Sequence, residues 1–293
     1  MALASPGKRL RDRFAEGIIV LPGVYSAISA RAAQAAGAEG LYLSGAGVTN
    51  SLLAVPDIAL ISLPELAQQA AYVVQAASDL PVISDADTGF GDVHNVARTV
   101  REMERAGLAG IHLEDQLSPK RCGHLDGKGL ISVQEMNAKI RAAVDSKSDS
   151  DFLVIARTDA KGVEGLDAAI ARARAYVDHG ADAVFPEGLE SEVEFQAFRK
   201  GISVPLLANM TEFGKTPIIP ASRFGDMGYE MVIFPMTAFR VMLRAISEAY
   251  SELLTTGTQA GMLDRMKTRA ELYELIDYAD YSERDQRWSD ESK

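Results

Sequence analysis

The sequence predicts an α/β fold, a (β/α)8 barrel of the TIM type, on three observations. Short apolar runs rich in β-branched residues recur along the 293 residues, and Ala-, Glu- and Arg-rich stretches with helical spacing separate them. The runs are continuous rather than alternating, as in parallel strands that are buried on both faces. An open doubly wound sheet would carry a glycine-rich phosphate loop after its first strand, and Pro22-Gly23-Val24-Tyr25 does not fit that motif.

The predicted strands and helices alternate along the chain. Eight strands are predicted at Gly17–Pro22, Gly40–Ser44, Pro81–Asp85, Gly110–Asp115, Phe152–Asp159, Ala183–Glu187, Pro205–Asn209 and Met231–Pro235. Among the intervening helices, Val96–Ala106 and Leu166–His179 have the clearest apolar periodicity. A glycine follows the helix before the next strand at Gly37, Gly107 and Gly180, as is common where helices end.

The chain reads as one domain, because no low-complexity segment or linker divides residues 1–293. Residues beyond about 238 exceed what a single barrel helix needs. We therefore predict a C-terminal helical extension over about 238–280 and a polar tail over about 281–293.

Composition restricts the classes of function. There are 41 acidic and 30 basic residues, and the net charge of −11 argues against nucleic-acid binding, which rests on basic patches. A small anionic substrate remains compatible, since a carboxylate site needs only two or three local cations. No apolar run approaches the roughly 18 residues of a membrane span, and the first residues lack a signal-peptide core. One cysteine, Cys122, excludes an intramolecular disulfide framework, so a cytoplasmic location is expected.

Six consecutive strands end in polar groups, at the end of the barrel where active sites lie. One strand-end aspartate often caps the next helix, but six such strands together favour an active site. These groups are Ser44, Asp85, Asp87, Glu114, Asp115, Arg157, Glu187, Asn209 and Thr211.

The acidic members of this set predict a metal site. Asp85, Asp87, Glu114 and Asp115 would repel one another without a cation, and carboxylates with water are the usual surroundings of Mg²⁺, with Mn²⁺ as an alternative. Zinc is improbable, because the four histidines are scattered along the chain. We expect hydrogen-bonded structural roles for the histidines at positions 112 and 179.

The loop after the fourth strand, Lys120–His124 (KRCGH), predicts a reactive thiol. A lone cysteine is usually a small buried apolar residue. Cys122 instead lies beside cations, a glycine and a histidine, and nearby positive charge lowers the pKa of a thiol and favours proton exchange near neutral pH.

At several of these motifs the chain resembles the isocitrate lyase/phosphoenolpyruvate mutase superfamily. The likeness extends from about Ser5 to Tyr278, and the KRCGH loop is specific to the lyase branch. The motifs are Ser44-Gly45, Asp85–Gly91 (DADTGFG), Asn95–Val100 (NVARTV), Ile111–Gln116 (IHLEDQ), Lys120–His124, Ala156–Ala160 (ARTDA), Val163–Asp167 (VEGLD), Leu207–Gly214 (LANMTEFG) and Thr268–Tyr273 (TRAELY).

The resemblance implies a Mg²⁺-dependent carbon–carbon lyase that cleaves 2-methylisocitrate to pyruvate and succinate by a retro-aldol reaction. It implies that Asp85 and Asp87 bind the metal, that Asp57 and Glu114 support it through water, and that Cys122, Tyr42 and Lys120 are catalytic, with Cys122 as the acid and Tyr42 as a candidate base. The implied substrate-binding residues are Ser44, Gly45, Ala46, Gly123, His124, Arg157, Glu187, Asn209, Thr211, Arg240 and Arg269. It also implies a homotetramer in which neighbouring subunits exchange the last barrel helix.

One departure from the superfamily pattern leaves the exact acid open. Many relatives carry three glycines after the serine, whereas this chain has Ser44-Gly45-Ala46-Gly47. The alternatives are 2,3-dimethylmalate, isocitrate or oxaloacetate as substrate on the same fold, a Schiff-base aldolase that uses Lys120, and a barrel that only binds its ligand. The last is opposed by the intact set Asp85, Asp87, Lys120, Cys122 and Arg157, because a pure scaffold does not need a reactive thiol beside a metal site.

Overall fold

A computed structural model describes residues 4–121 and 127–291 and confirms the predicted barrel. Its eight parallel strands pair in the order β6-β5-β4-β3-β2-β1-β8-β7, and a bridge between Val184 and Leu206 links β6 to the residue before β7. The strands are β1 Ile19–Val24, β2 Leu41–Leu43, β3 Val82–Asp85, β4 Gly110–Glu114, β5 Leu153–Thr158, β6 Ala183–Pro186, β7 Leu207–Asn209 and β8 Met231–Phe234. Each overlaps a strand predicted from the sequence.

The helices of the described residues lie before, between and after these strands. A π-helical turn covers Thr49–Leu53 and a 3₁₀ turn covers Ala260–Arg265. The helices are α1 Pro6–Glu16, α2 Ala27–Ala35, α3 Gly45–Val48, α4 Leu63–Ala76, α5 Val93–Arg105, α6 Val133–Ser146, α7 Lys161–Glu164, α8 Leu166–Asp178, α9 Glu192–Gly201, α10 Ala221–Asp226, α11 Thr237–Thr256, α12 Arg269–Leu275 and α13 Tyr278–Glu291.

Local sequence sets where these helices begin. Ser26, Ser132 and Thr268 each begin a helix with a capping box, in which the side chain accepts from a backbone N–H three residues on. In α5 the apolar residues Val96, Val100 and Met103 recur at helical spacing and are fully buried against the strands. Helix α5 thus covers the outside of the barrel with one apolar face.

The interior of the barrel is filled by side chains that alternate along the strands. Leu21, Ile83, Ile155 and Met231 belong to one buried cluster inside it. Leu10 of α1 is fully buried in the same cluster. The barrel interior at the start and middle of the strands is therefore a packed core. Among the described residues, open space inside the barrel lies where the strands end.

The C-terminal region is helical and leaves large apolar side chains exposed. Helix α13 covers most of the segment predicted as a polar tail, and its residues are exposed. Along α11, Val241, Tyr250 and Leu254 are 66%, 63% and 84% exposed. Across residues 4–121 and 127–291, none of the helices has the length and apolarity to cross a membrane.

Candidate active site

The side chains that point into the barrel change from apolar to polar at the carboxyl ends of the strands. Tyr42 of β2, His112 of β4 and Phe185 of β6 form the last layer of large rings, with His112 and Phe185 edge to face. Polar residues lie two positions further along each of these three strands, and at the equivalent positions of β3, β5 and β7. They are Ser44, Asp85, Glu114, Arg157, Glu187 and Asn209. Because every second residue of a strand points to the same face, these six residues, which are far apart in sequence, form one ring inside the barrel.

A cavity of about 230 Å³ opens above this ring. Of the residues predicted for the site, it is lined by Tyr42, Ser44, Ala46, Asp57, Asp85, Lys120, Arg157, Glu187, Asn209, Thr211 and Arg240. It is also lined by residues that the sequence analysis missed, Asn50, Arg121, Phe185, Ile233, Pro235 and Met236. Phe185 and Ile233 could have been identified from the alternation of inward-facing residues along their strands, but no sequence signal points to Asn50 or Met236.

Lys120 bridges two of the predicted metal ligands. Its Nζ lies 2.7 Å from Asp57 Oδ1 and 2.7 Å from Asp87 Oδ1, and its side chain is buried. Burial alone would lower the pKa of Lys120, but Asp87 and its neighbouring carboxylates outweigh this and raise the pKa well above its ordinary value. Lys120 is therefore a fixed cation in an acidic surrounding.

The backbone holds Asp87 in an uncommon conformation. Asp87 has φ +48°, in the left-handed region that aspartate tolerates better than most residues. Its N–H donates to Asp85 Oδ1 at 2.9 Å, and its carbonyl accepts from Glu114 N at 3.0 Å. Burial, followed by the effect of nearby carboxylates opposed by Lys120, raises the pKa of Asp87 to about 6.

The buried carboxylates fit a divalent cation. Asp87 Oδ2 and Glu114 Oε1 are buried and make no hydrogen bond within the chain, so each has a free coordination direction. Of the acids Asp57, Asp85, Asp87 and Glu114, the first and third pair with Lys120 and the last with Arg157, so the four acids share two cations as ion-pair partners among the described residues. Within the described ranges, no three acidic, histidine or cysteine side chains yet converge on one point. This donor set suits Mg²⁺, which keeps several waters and takes few direct protein ligands.

Gly45 allows the loop after β2 to approach Asp85. A Cβ on Gly45 would lie 2.6 Å from Asp85 Oδ2, so a larger residue would displace the carboxylate. Ser44 Oγ accepts from Gly47 N at 3.0 Å and begins α3. The small residues after β2 therefore determine where Asp85 can lie.

Tyr42 and His112 form a buried pair at the base of the cavity. Tyr42 Oη and His112 Nε2 are 2.9 Å apart, and His112 Nδ1 lies 3.7 Å from Asp85 Oδ1. Burial lowers the pKa of His112 to about 4, so the ring is neutral near pH 7. Burial, together with Asp85, raises the pKa of Tyr42 well above 10. His112 thus has the hydrogen-bonded role expected for it, as does His179, whose Nδ1 lies 2.7 Å from Ala175 O.

Arg157 lies among three carboxylates. Its Nε donates to Asp159 Oδ2 at 2.9 Å and lies 3.3 Å from Glu114 Oε2. Its Nη2 lies 3.4 Å from Glu187 Oε2, and the guanidinium stands over the ring of Phe185. The opposite wall of the cavity contains a second arginine, Arg240, which donates to Glu212 Oε2 at 2.6 Å.

Some predicted residues are not brought into this cavity. Arg269 begins the exposed helix α12 and does not line it. Cys122, Gly123 and His124 lie outside the described residues.

Asp115 was grouped with the metal-binding acids in the sequence analysis, and that grouping is wrong. Its side chain points into the outer layer, where Thr158 Oγ1 and Tyr176 Oη each donate to Asp115 Oδ2 at 2.8 Å. The reason is strand parity, because Asp115 follows the inward-facing Glu114.

Sequence comparison assigns the family. Residues 10–254 match the family model of phosphoenolpyruvate phosphomutase. The chain is 52% identical to a 2-methylisocitrate lyase of Aeropyrum pernix over 97% of this chain and 91% of that protein. It is 45% identical to a 2-methylisocitrate lyase of Escherichia coli over 97% of this chain and 96% of that protein.

Solved structures agree with this assignment. A 2,3-dimethylmalate lyase superposes with a TM-score of 0.92 at 36% identity and covers 98% of this chain and 96% of its own. A phosphonopyruvate hydrolase in complex with oxalate and Mg²⁺ superposes with a TM-score of 0.88 at 27% identity, over 97% of this chain and 99% of its own. The predicted superfamily and the predicted class, a carbon–carbon lyase, are confirmed. The chain belongs to the phosphoenolpyruvate phosphomutase family.

Proposed function

We propose that the chain cleaves the C2–C3 bond of 2-methylisocitrate, with Mg²⁺ as cofactor, to give pyruvate and succinate. The observation that carries the proposal is the cluster of buried carboxylates beside Arg157 and Lys120 in one small cavity. At about 230 Å³ the cavity is smaller than the roughly 300–1,000 Å³ of pockets for drug-sized ligands, which suits a small acid. The 2-methylisocitrate lyases at 52% and 45% identity support this substrate.

Asp85 and Asp87 would hold the metal directly, with Asp57 and Glu114 supporting it through water. A divalent ion held there would supply Lewis acidity for the substrate's hydroxyl group. Gly45 leaves room for the Asp85 carboxylate, and Lys120 contacts both Asp57 and Asp87.

The chain's own residues would orient the keto-acid half of the substrate. Arg157 and the backbone at Ser44–Ala46 would bind the carboxylate on C2, because Ser44, Ala46 and Arg157 line the same cavity as Asp85. The raised pKa of Tyr42 keeps its phenol protonated near pH 7. Tyr42 is therefore better suited to orient the C2 hydroxyl by a hydrogen bond than to remove its proton.

The succinate half would lie toward the opposite wall, near Asn209, Thr211 and Arg240. Transfer of the hydroxyl proton to one of the carboxylates of the site would form the C2 carbonyl of pyruvate, break the C2–C3 bond and leave the electron pair on C3. In this proposal the thiol of Cys122 protonates C3 and so releases succinate. Gly123 and His124 would contribute to the same half of the site.

Two observations bear on the alternative reactions. A Schiff-base aldolase needs a neutral lysine, and the raised pKa of Lys120 between Asp57 and Asp87 opposes that role. A second candidate substrate is 2,3-dimethylmalate, which the structural similarity to a 2,3-dimethylmalate lyase favours.

The substrate proposal predicts that 2-methylisocitrate is cleaved in preference to isocitrate. An extra methyl group in an apolar pocket is worth only about 1–3 kcal/mol, so we expect a preference of roughly 10–200-fold in kcat/KM. The measurement compares 2-methylisocitrate, isocitrate and 2,3-dimethylmalate at one Mg²⁺ concentration, with pyruvate and glyoxylate detected in parallel. Ala46→Gly is the matched variant, because Ala46 lines the cavity. A tenfold advantage for isocitrate or 2,3-dimethylmalate would contradict the assignment.

The metal proposal predicts complete loss of turnover in EDTA and recovery with excess Mg²⁺ or Mn²⁺. Asp87→Ala should remain inactive after Mg²⁺ is restored, because it removes a ligand at the acidic end of the cavity. Asp149→Ala is the control, since this partly buried aspartate lies in the loop before β5. Full activity of metal-free protein, measured after the residual metal has been quantified, would rule out the cofactor.

The proposed role of Cys122 predicts that Cys122→Ser loses about 10²–10⁴-fold in kcat, the usual value of a placed general acid. Iodoacetamide should inactivate the protein, and since the chain has one cysteine the modified residue is unambiguous. Succinate with Mg²⁺ should protect against alkylation. Near-normal turnover of Cys122→Ser would show that the thiol only fills space.

We also propose that the chain is a homotetramer with exchanged C-terminal helices. The exposed apolar side chains of α11, among them Val241, Tyr250 and Leu254, support a second subunit as their cover. Light scattering coupled to gel filtration should give four times the chain mass of 31.5 kDa. Val241→Glu combined with Leu254→Glu should lower that mass, and a monomeric wild-type protein would contradict the proposal.

A further inference from the structure

The charge around Arg157 poses a problem for a residue that binds an anionic substrate. Glu114, Asp159 and Glu187 all lie within 3.4 Å of its guanidinium, and the side chain is only 10% exposed. Three buried carboxylates around one cation would leave this region negative and would repel a substrate carboxylate. A further positive charge beside these carboxylates would therefore strengthen the attraction of Arg157 for a substrate carboxylate, in addition to the proposed metal ion.

Lys128 supplies a positive charge on the far side of this cluster. Its Nζ donates to Asp159 Oδ1 at 2.8 Å, and the two side chains are 4% and 0% exposed. The same carboxylate holds Arg157 by two bonds, from Nε to Oδ2 at 2.9 Å and from Nη2 to Oδ1 at 3.3 Å. Among the residues that the structure describes, Lys128 is not part of the cavity lining, and its contact with Asp159 connects it to Arg157.

Hydrogen bonds from the surrounding scaffold hold Asp159, the shared partner of Lys128 and Arg157, in place. Asp159 N donates to Asp115 Oδ1 at 2.9 Å, and Asp115 is held in turn by Thr158 and Tyr176. Asp159 is therefore fixed by its backbone as well as by its side chain. Loss of Lys128 would change the charge at Asp159 more than its position.

We infer that Lys128 is a positioning residue that neutralises Asp159, so that Asp159 can orient Arg157 without cancelling its attraction for a substrate carboxylate. The inference rests on the proposed function, in which Arg157 receives the carboxylate on C2. Lys128 then affects the binding of carboxylates more than the bond-breaking step. Its effect depends on the negative charge of Asp159.

The test measures binding of oxalate in the presence of Mg²⁺ by calorimetry, which needs no turnover. Oxalate is a suitable probe, because a phosphonopyruvate hydrolase of similar fold has been solved with oxalate and Mg²⁺. Lys128→Met should raise the Kd of oxalate about tenfold, and Lys128→Arg should stay within about twofold of wild type. In steady-state kinetics, KM should rise by a larger factor than kcat falls.

The double variant Lys128→Met, Asp159→Asn separates charge compensation from simple structural support. If Lys128 acts by neutralising Asp159, removal of both charges should restore most of the oxalate affinity. If Lys128 only supports the fold, the double variant should bind no better than Lys128→Met. That result, or an unchanged Kd in Lys128→Met, would overturn the inference.

Lys161→Met is the matched control. It breaks an ion pair of similar length, 2.7 Å to Glu190 Oε1, made by a lysine side chain that is 12% exposed and does not line the cavity. Oxalate affinity should not change in this variant. If Lys128→Met does not fold, Lys128→Gln takes its place. Failure of wild type to cleave 2-methylisocitrate, with oxalate binding as expected, would remove the substrate proposal and leave the role of Lys128 intact.

Discussion

Charge balance at the carboxyl end of the barrel is the constraint on which the site depends. A buried carboxylate is costly unless it is paired, and this end of the barrel contains several within a few ångströms. Lys120 joins Asp57 to Asp87, and Arg157 contacts Glu114, Asp159 and Glu187, so each cation serves more than one acid. The acids still outnumber the cations, which gives a divalent ion and an anionic substrate complementary positions in the same space.

Strand parity distributes these charges between the cavity and the scaffold. Glu114 and Asp115 are adjacent in sequence, yet Glu114 faces the barrel interior and Asp115 is bonded to Thr158 and Tyr176 in the outer layer. The same alternation separates Arg157, which lines the cavity, from Thr158, which supports Asp115. The ends of β4 and β5 therefore each carry one polar residue that faces the cavity and one that is hydrogen-bonded in the scaffold.

Much of this could be predicted from the sequence, because the buried strands and the polar strand ends are local signals. The eight strands and most cavity residues on them follow from apolar runs and from their final residues. Asp115 was misassigned because its acidic character was considered without asking whether its position along the strand faces the barrel interior. Arg269 and Met236 could not be judged from the chain alone, since helix packing decides which side chains come near the barrel mouth. The pairing of Lys128 with Asp159 joins residues 31 positions apart and leaves no local pattern.

The two halves of the cavity differ in how firmly they are held, and this bears on substrate selection within the family. Arg157 is 10% exposed and fixed by Asp159, whereas Arg240 is 36% exposed and its partner Glu212 lies on the loop after β7. A rigid half suits the part of the substrate at which the bond breaks, because catalysis depends on accurate placement there. In the half of the cavity that contains Arg240, the more exposed side chains can change their contacts at a lower cost in free energy. Relatives named for methylisocitrate, dimethylmalate and phosphonopyruvate share this fold. In this chain a different acid would therefore be accommodated more easily on the Arg240 side than among the buried charges around Asp85 and Arg157.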